Sequence, residues 1–94
     1  MVKKRITLWD DGDSGVFTDG TRFRLNRVRA PESHHFGGET ATRRAAGMTG
    51  QSNGFVNVKP IARDIYSRII VEMSNQHGSI NNRLIMRGSK NKGR

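Results

Sequence analysis

Asp10, Asp11 and Asp13 crowd into one short stretch of an otherwise strongly basic chain. Mutual repulsion among such carboxylates is relieved most easily by a cation, and oxygen donors suit calcium, magnesium or manganese. Across the whole sequence 17 Lys and Arg face 8 Asp and Glu, a formal net charge of +9, which favours a polyanionic partner. Most of that charge is arginine, whose planar fork grips phosphate oxygens bidentately where lysine offers a point charge. A basic surface with one acidic knot points to phosphate chemistry and to nucleic acid. Aspartates beside glycine are also ordinary turn residues, so the knot alone does not establish a metal site. The same holds for the adjacent imidazoles of His34 and His35, a pairing that occurs in metal sites and also in solvated loops.

The elements that must position these groups are small. The chain has 94 residues, 33% of them hydrophobic and 6% aromatic, enough for one thin core. A single domain over residues 1–89 and a basic tail over 90–94 are expected. Cys is 0, which excludes disulfides, zinc-thiolate sites and cysteine nucleophiles. No apolar stretch reaches the length of a membrane span or a signal-peptide core, so the default expectation is a cytoplasmic protein.

Alternation at Arg5, Ile6, Thr7 and Leu8 predicts a first strand over Lys3 to Trp9. Turn chemistry through Asp11 to Gly15, the pair Val16 and Phe17, and the hairpin signal Asp19-Gly20 follow. Thr21 to Val28 reads as a strand with Phe23 and Leu25 on one face and Arg22, Arg24 and Asn26 on the other, its parity slipping near Arg27 as a bulge or bend would cause. Pro31 ends it. Glu39 to Met48 predicts a helix frayed by Gly47 and Gly50, Phe55 to Val58 a strand that Pro60 closes, and Arg63 to Ser67 a polar turn. Ile69 to Val71 predicts a central strand, Ser74 to Ser79 a loop, and Ile80 to Arg87 a second short helix stopped at Gly88. The order predicts a mainly β, α+β fold: a small five-stranded Greek-key barrel of the OB type, with one helix after strand three and a short one after strand five.

Four blocks, in order, resemble the staphylococcal nuclease (thermonuclease) family. Asp11-Gly12-Asp13-Ser14 resembles the family's Asp-Gly-Asp-Thr, and Phe23-Arg24-Leu25 leading to Ala30-Pro31-Glu32 resembles its strand ending in Asp-Ala/Thr-Pro-Glu. Asp64-Ile65-Tyr66-Ser67-Arg68 resembles Asp-Arg/Lys-Tyr-Gly-Arg, and Ile80-Asn81 with Leu84 and Gly88 resembles Val-Asn-x-x-Leu-Val-x-x-Gly. The resemblance implies phosphodiester hydrolysis with a divalent cation, calcium by analogy. By the same resemblance Asp13 is a metal ligand, and Glu32 stands at the metal and orients or deprotonates the attacking water. Arg24 and Arg68 clamp the phosphate and stabilise charge on its oxygens, an effect that can be worth several kcal/mol. Tyr66 sits beside a terminal phosphate of the substrate.

Two departures matter. Where the family places a second ligand aspartate, this chain has Arg29, a cation that cannot ligate a cation. Asp10, Asp11, Glu32, His34 and His35 are the replacements at hand, and imidazole would shift the preference toward manganese, nickel or zinc. The family's terminal helix also has no counterpart here, which predicts exposed apolar surface and a homodimer. The expected function is a metal-dependent endonuclease acting on DNA, with RNA as a second substrate and little sequence specificity. The alternative is a catalytically inactive nucleic-acid-binding module on the same scaffold, for which Arg29 is the best argument.

Overall fold

The computed structural model describes residues 2–29, 38–50 and 52–86. Eight elements follow one another: β1 (Val2–Asp11), β2 (Ser14–Phe17), β3 (Arg22–Leu25), α1 (Gly38–Gly50), β4 (Phe55–Arg63), β5 (Ile69–Asn75), β6 (Gly78–Ser79) and α2 (Ile80–Met86). Strands β1 to β3 form an antiparallel meander, and β4 pairs antiparallel with both β1 and β5. A parallel pairing of β5 with β3 closes the ring. The result is an α+β fold built on a closed five-stranded mixed barrel with two helices, which fits an OB-like barrel. No helix among the described residues is long and apolar enough to cross a membrane.

Closure removes the exposed edges that make short strands hazardous and gathers their inward residues into one core. Trp9, Phe17 and Phe23 form its aromatic centre. Trp9 meets Phe23 edge-on at 5.1 Å, and Phe17 stacks on Phe23 at 4.6 Å. Leu25, Val56, Val58, Val71 and Met73 complete the barrel interior, while Ala45 and Met48 of α1 and Ile80 and Leu84 of α2 plug it. The Trp9 indole donates to the Thr49 hydroxyl at 3.0 Å, so its N–H is satisfied within the helix contact. Gly15 is required where β2 crosses β1: a Cβ there would lie 2.3 Å from the Leu8 carbonyl oxygen and 2.9 Å from the Phe23 ring.

Several boundaries differ from the sequence expectation, each for a local reason. β3 stops at Leu25 rather than Val28, because Arg27 adopts a left-handed φ of 64° and turns the chain away. α1 runs through Gly47 to Gly50, and Asn53 and Gly54, both at positive φ, reverse the chain behind it. β4 continues through Pro60 to Arg63. Among the described residues its pairing with β1 ends at Val58, two residues before the prolyl nitrogen, and a register shift between Pro60 and Ala62 in the pairing with β5 absorbs the ring. The segment read as a loop from Ser74 to Ser79 is instead the end of β5, a tight turn and β6, with Gly78 at φ 103°.

The second helix is anchored by a polar residue. Asn81, fully buried, accepts the Met73 N–H at 2.9 Å and donates to the carbonyls of Asn26 at 2.9 Å and Val71 at 3.1 Å. One amide thus ties α2, β5 and the end of β3 together. The strand end at Pro31, the helix stop at Gly88 and the tail over 90–94 lie outside the described residues.

Candidate functional site

The register relates three of the expected site residues: Asp13 in the turn before β2, Arg24 on β3 and Arg68 just before β5. Asp13, in the turn between β1 and β2, is buried, and its carbonyl accepts the Leu25 N–H at 2.8 Å. Its successor Ser14 pairs with Arg24 on β3, and Arg24 pairs in parallel with Ile70 on β5. Arg68 enters β5 beside Ile69, the partner of Phe23. Arg24 lies between the fully buried Phe23 and Leu25, so strand alternation turns it to the outer face of the barrel, half-buried there.

Arg68 is held by the turn that precedes it. The Asp64 carboxylate accepts the main-chain N–H groups of Tyr66 and Arg68, both at 2.9 Å, on Oδ1 and the Arg68 Nε–H at 2.8 Å on Oδ2. Main-chain bonds from Asp64 to the Arg68 carbonyl and from Ser67 to the Asp64 carbonyl close the loop, with Ser67 at φ 63°. Burial opposes the charge on Asp64, but the bonds from Arg68 and Tyr66 outweigh it and hold its carboxyl below the usual aspartate range. The Tyr66 ring is largely exposed, and the guanidinium carbon of Arg68 lies 5.4 Å from its centroid. Arg68 is therefore fixed along its Nε edge by an anion and lies against an aromatic ring.

Further along β5, beside the end of β3, a second ion pair has a different character. Arg27 donates to both oxygens of Glu72, at 2.9 and 3.3 Å, and to Asn82 at 3.1 Å, which joins the turn after β3 to β5 and α2. The Glu72 bonds raise the Arg27 pKa above its ordinary value. This pair braces the scaffold.

Asp10 and Asp11 are half-buried in the same segment as Asp13, and Arg29 is exposed. Glu32, His34 and His35 lie outside the described residues. Among the described residues no three His, Asp or Glu side chains gather into a cluster that would hold a metal ion. The carboxylates of Asp11, at the end of β1, and Asp13, in the turn after it, are hard oxygen donors of the type a divalent cation takes. Sequence reasoning gave Asp64 no role beyond membership of a block. Its signal was the spacing from Asp64 to Arg68, which in a tight turn lets one carboxylate reach both the arginine N–H and its Nε.

No protein-family model matches the chain, and no curated protein matches it significantly.

Proposed function

We propose that this chain is a metal-dependent nuclease of the staphylococcal nuclease type, built on a Greek-key barrel and hydrolysing phosphodiester bonds of DNA, and of RNA as a second substrate. The observation that carries the reading is the Arg68 turn: a guanidinium pre-oriented by Asp64, immediately before β5, the strand whose Ile70 pairs with Arg24. An arginine on β3 and one at the entry to β5 suit a phosphodiester, because guanidinium N–H groups match its oxygens and Arg68 is already held by Asp64 as charge develops there. Asp13 and Asp11, with Glu32 by the family resemblance, would hold the cation. When bound, that cation would polarise the phosphate and favour ionisation of a nearby water. Glu32 would orient that water and take its proton, and Tyr66 would pack beside the substrate chain.

Cleavage of single-stranded DNA, duplex DNA and RNA tests the reading, in EDTA and with calcium, magnesium, manganese or nickel restored. Arg68→Gln and Glu32→Gln are each expected to lower the rate by about a hundredfold or more while binding survives. Arg29 favours a second reading, a nucleic-acid-binding module without activity. Arg29 itself is exposed, and a carboxylate lost at that one position leaves Asp11, Asp13 and Glu32 as the donors of the nuclease reading. Tight, salt-sensitive binding with no cleavage under any metal would decide for the module.

A further inference from the structure

A second feature lies at the far end of β5 from Arg68. Val56 and Val58 point into the core, so Phe55, Asn57 and Lys59 line the outer face of β4. Register places Arg5 opposite Phe55 and Lys3 opposite Asn57 on β1, and Ser74 and Glu72 opposite Asn57 and Lys59 on β5. Residues paired across a ladder share a face. Phe55 is 43% exposed, with the Arg5 guanidinium 5.3 Å and the Lys3 ammonium 5.9 Å from its ring centroid. Beside it opens a groove of about 360 Å³ lined by Lys3, Phe55, Asn57, Asn75 and Gln76. The Asn75 amide is committed to Met48, His77 and Arg83, so it forms a wall of this groove.

We infer that this face of β1 and β4 binds single-stranded nucleic acid, with a base stacked on Phe55 and phosphates on Lys3, Arg5 and Lys59. Charge complementarity identifies the occupant. The face carries three cations, and its one acid, Glu72, is already bonded by Arg27 and Asn26. An exposed aromatic ring between cations on neighbouring strands matches the alternation of flat bases and charged phosphates along an unpaired strand, and base stacking on such a ring tolerates any sequence. In a duplex the base faces are occupied by their neighbours, so the ring selects the unpaired form. Along β5, Ser74 opposite Asn57 lies about 17 Å from Ile69 beside Arg68 at 3.3 Å per residue, and Glu72 opposite Lys59 about 10 Å, so the Phe55 end of the surface is separate from the candidate catalytic groups and Lys59 lies between the two. The surface would hold substrate without taking part in cleavage.

The test is fluorescence anisotropy of a labelled oligodeoxythymidylate on the full chain in EDTA, where cleavage is silent, repeated with oligouridylate. Phe55→Leu, which keeps apolar bulk and loses the π face, is expected to weaken binding about tenfold or more, while Phe55→Tyr stays within about twofold of wild type. Arg5→Gln should lower the slope of log affinity on log salt by about 0.7. Thermal melting of each variant confirms that it is folded, and the tyrosine variant guards against a purely structural loss. Equal binding by Phe55→Leu and wild type, or equal competition by polyglutamate and the oligonucleotide, would overturn the inference. Phe55-dependent binding by a chain that never cleaves would uphold it and remove the nuclease reading, so the two fail separately.

Discussion

Asp64 and Arg68 close their turn from both ends: one carboxylate oxygen takes the N–H groups of Tyr66 and Arg68, and the other takes the Arg68 side chain at 2.8 Å. Both side chains are partly sheltered from solvent, so the pair is screened less than a fully exposed one. The arrangement fixes the backbone that leads into β5 and the direction of the guanidinium together.

Asp64 therefore links stability to pH. Its folded-state pKa is depressed, so its contribution is complete above the ordinary aspartate value of about 3.9 and is lost as pH falls below that through the folded value. Asp64→Asn keeps the shape and removes the charge. We expect it to cost about 1 kcal/mol near neutral pH, with the difference from wild type shrinking as pH falls below the ordinary aspartate value, in urea titrations across that range.

Asn81 should be intolerant of substitution. Asn81→Ala leaves the buried Met73 N–H and the carbonyls of Asn26 and Val71 without their amide partner and opens a small cavity. A loss of about 2 to 4 kcal/mol is expected, and Asn81→Asp should be at least as damaging because it places a charge at a fully buried position. Thermal unfolding of the two variants measures both.

Glycines 15 and 47 make opposite predictions. Gly15→Ala drives a methyl against the Leu8 carbonyl and the Phe23 ring, and about 2 to 4 kcal/mol of destabilisation is expected. Gly47 lies inside α1 with open space where a methyl would project, so Gly47→Ala should gain up to about 1 kcal/mol from helix propensity. Denaturant midpoints of the pair check the sign of each.

Ile65 is 89% exposed and Met86 83%, with Ile61 and Tyr66 also open to solvent. A second copy of the chain is our expected cover for Ile65, with Tyr66 left open to substrate. Sedimentation at micromolar concentration should then give a dimer mass that Ile65→Lys reduces toward one subunit. A wild-type mass of one subunit would dismiss the dimer.

The strands around Ile6, Phe23, Val56 and Ile70 and the helix after β3 were legible because alternation and breaker-free runs are local properties of a chain. The acidic turn and the two arginines were equally visible as residue types. Boundaries at Arg27 and Pro60 were not. Whether a left-handed arginine ends a strand depends on its bonds to Glu72 and Asn82, and whether a proline is tolerated depends on which neighbour lies beside its nitrogen. Asn81 read as one residue of a block, although it joins three elements that approach only after the barrel closes.

Composition and pattern by themselves determined a small, basic, mainly β chain whose chemistry-bearing residues are carboxylates and arginines. Only the tertiary structure decided that β5 returns beside β3, which sets Arg68 one strand from Arg24, and that Arg5 and Lys3 flank Phe55. Periodicity specifies which face of a strand is buried but not which strand lies next to it. Strand order comes from closing the barrel around a shared core, a condition that no single segment contains.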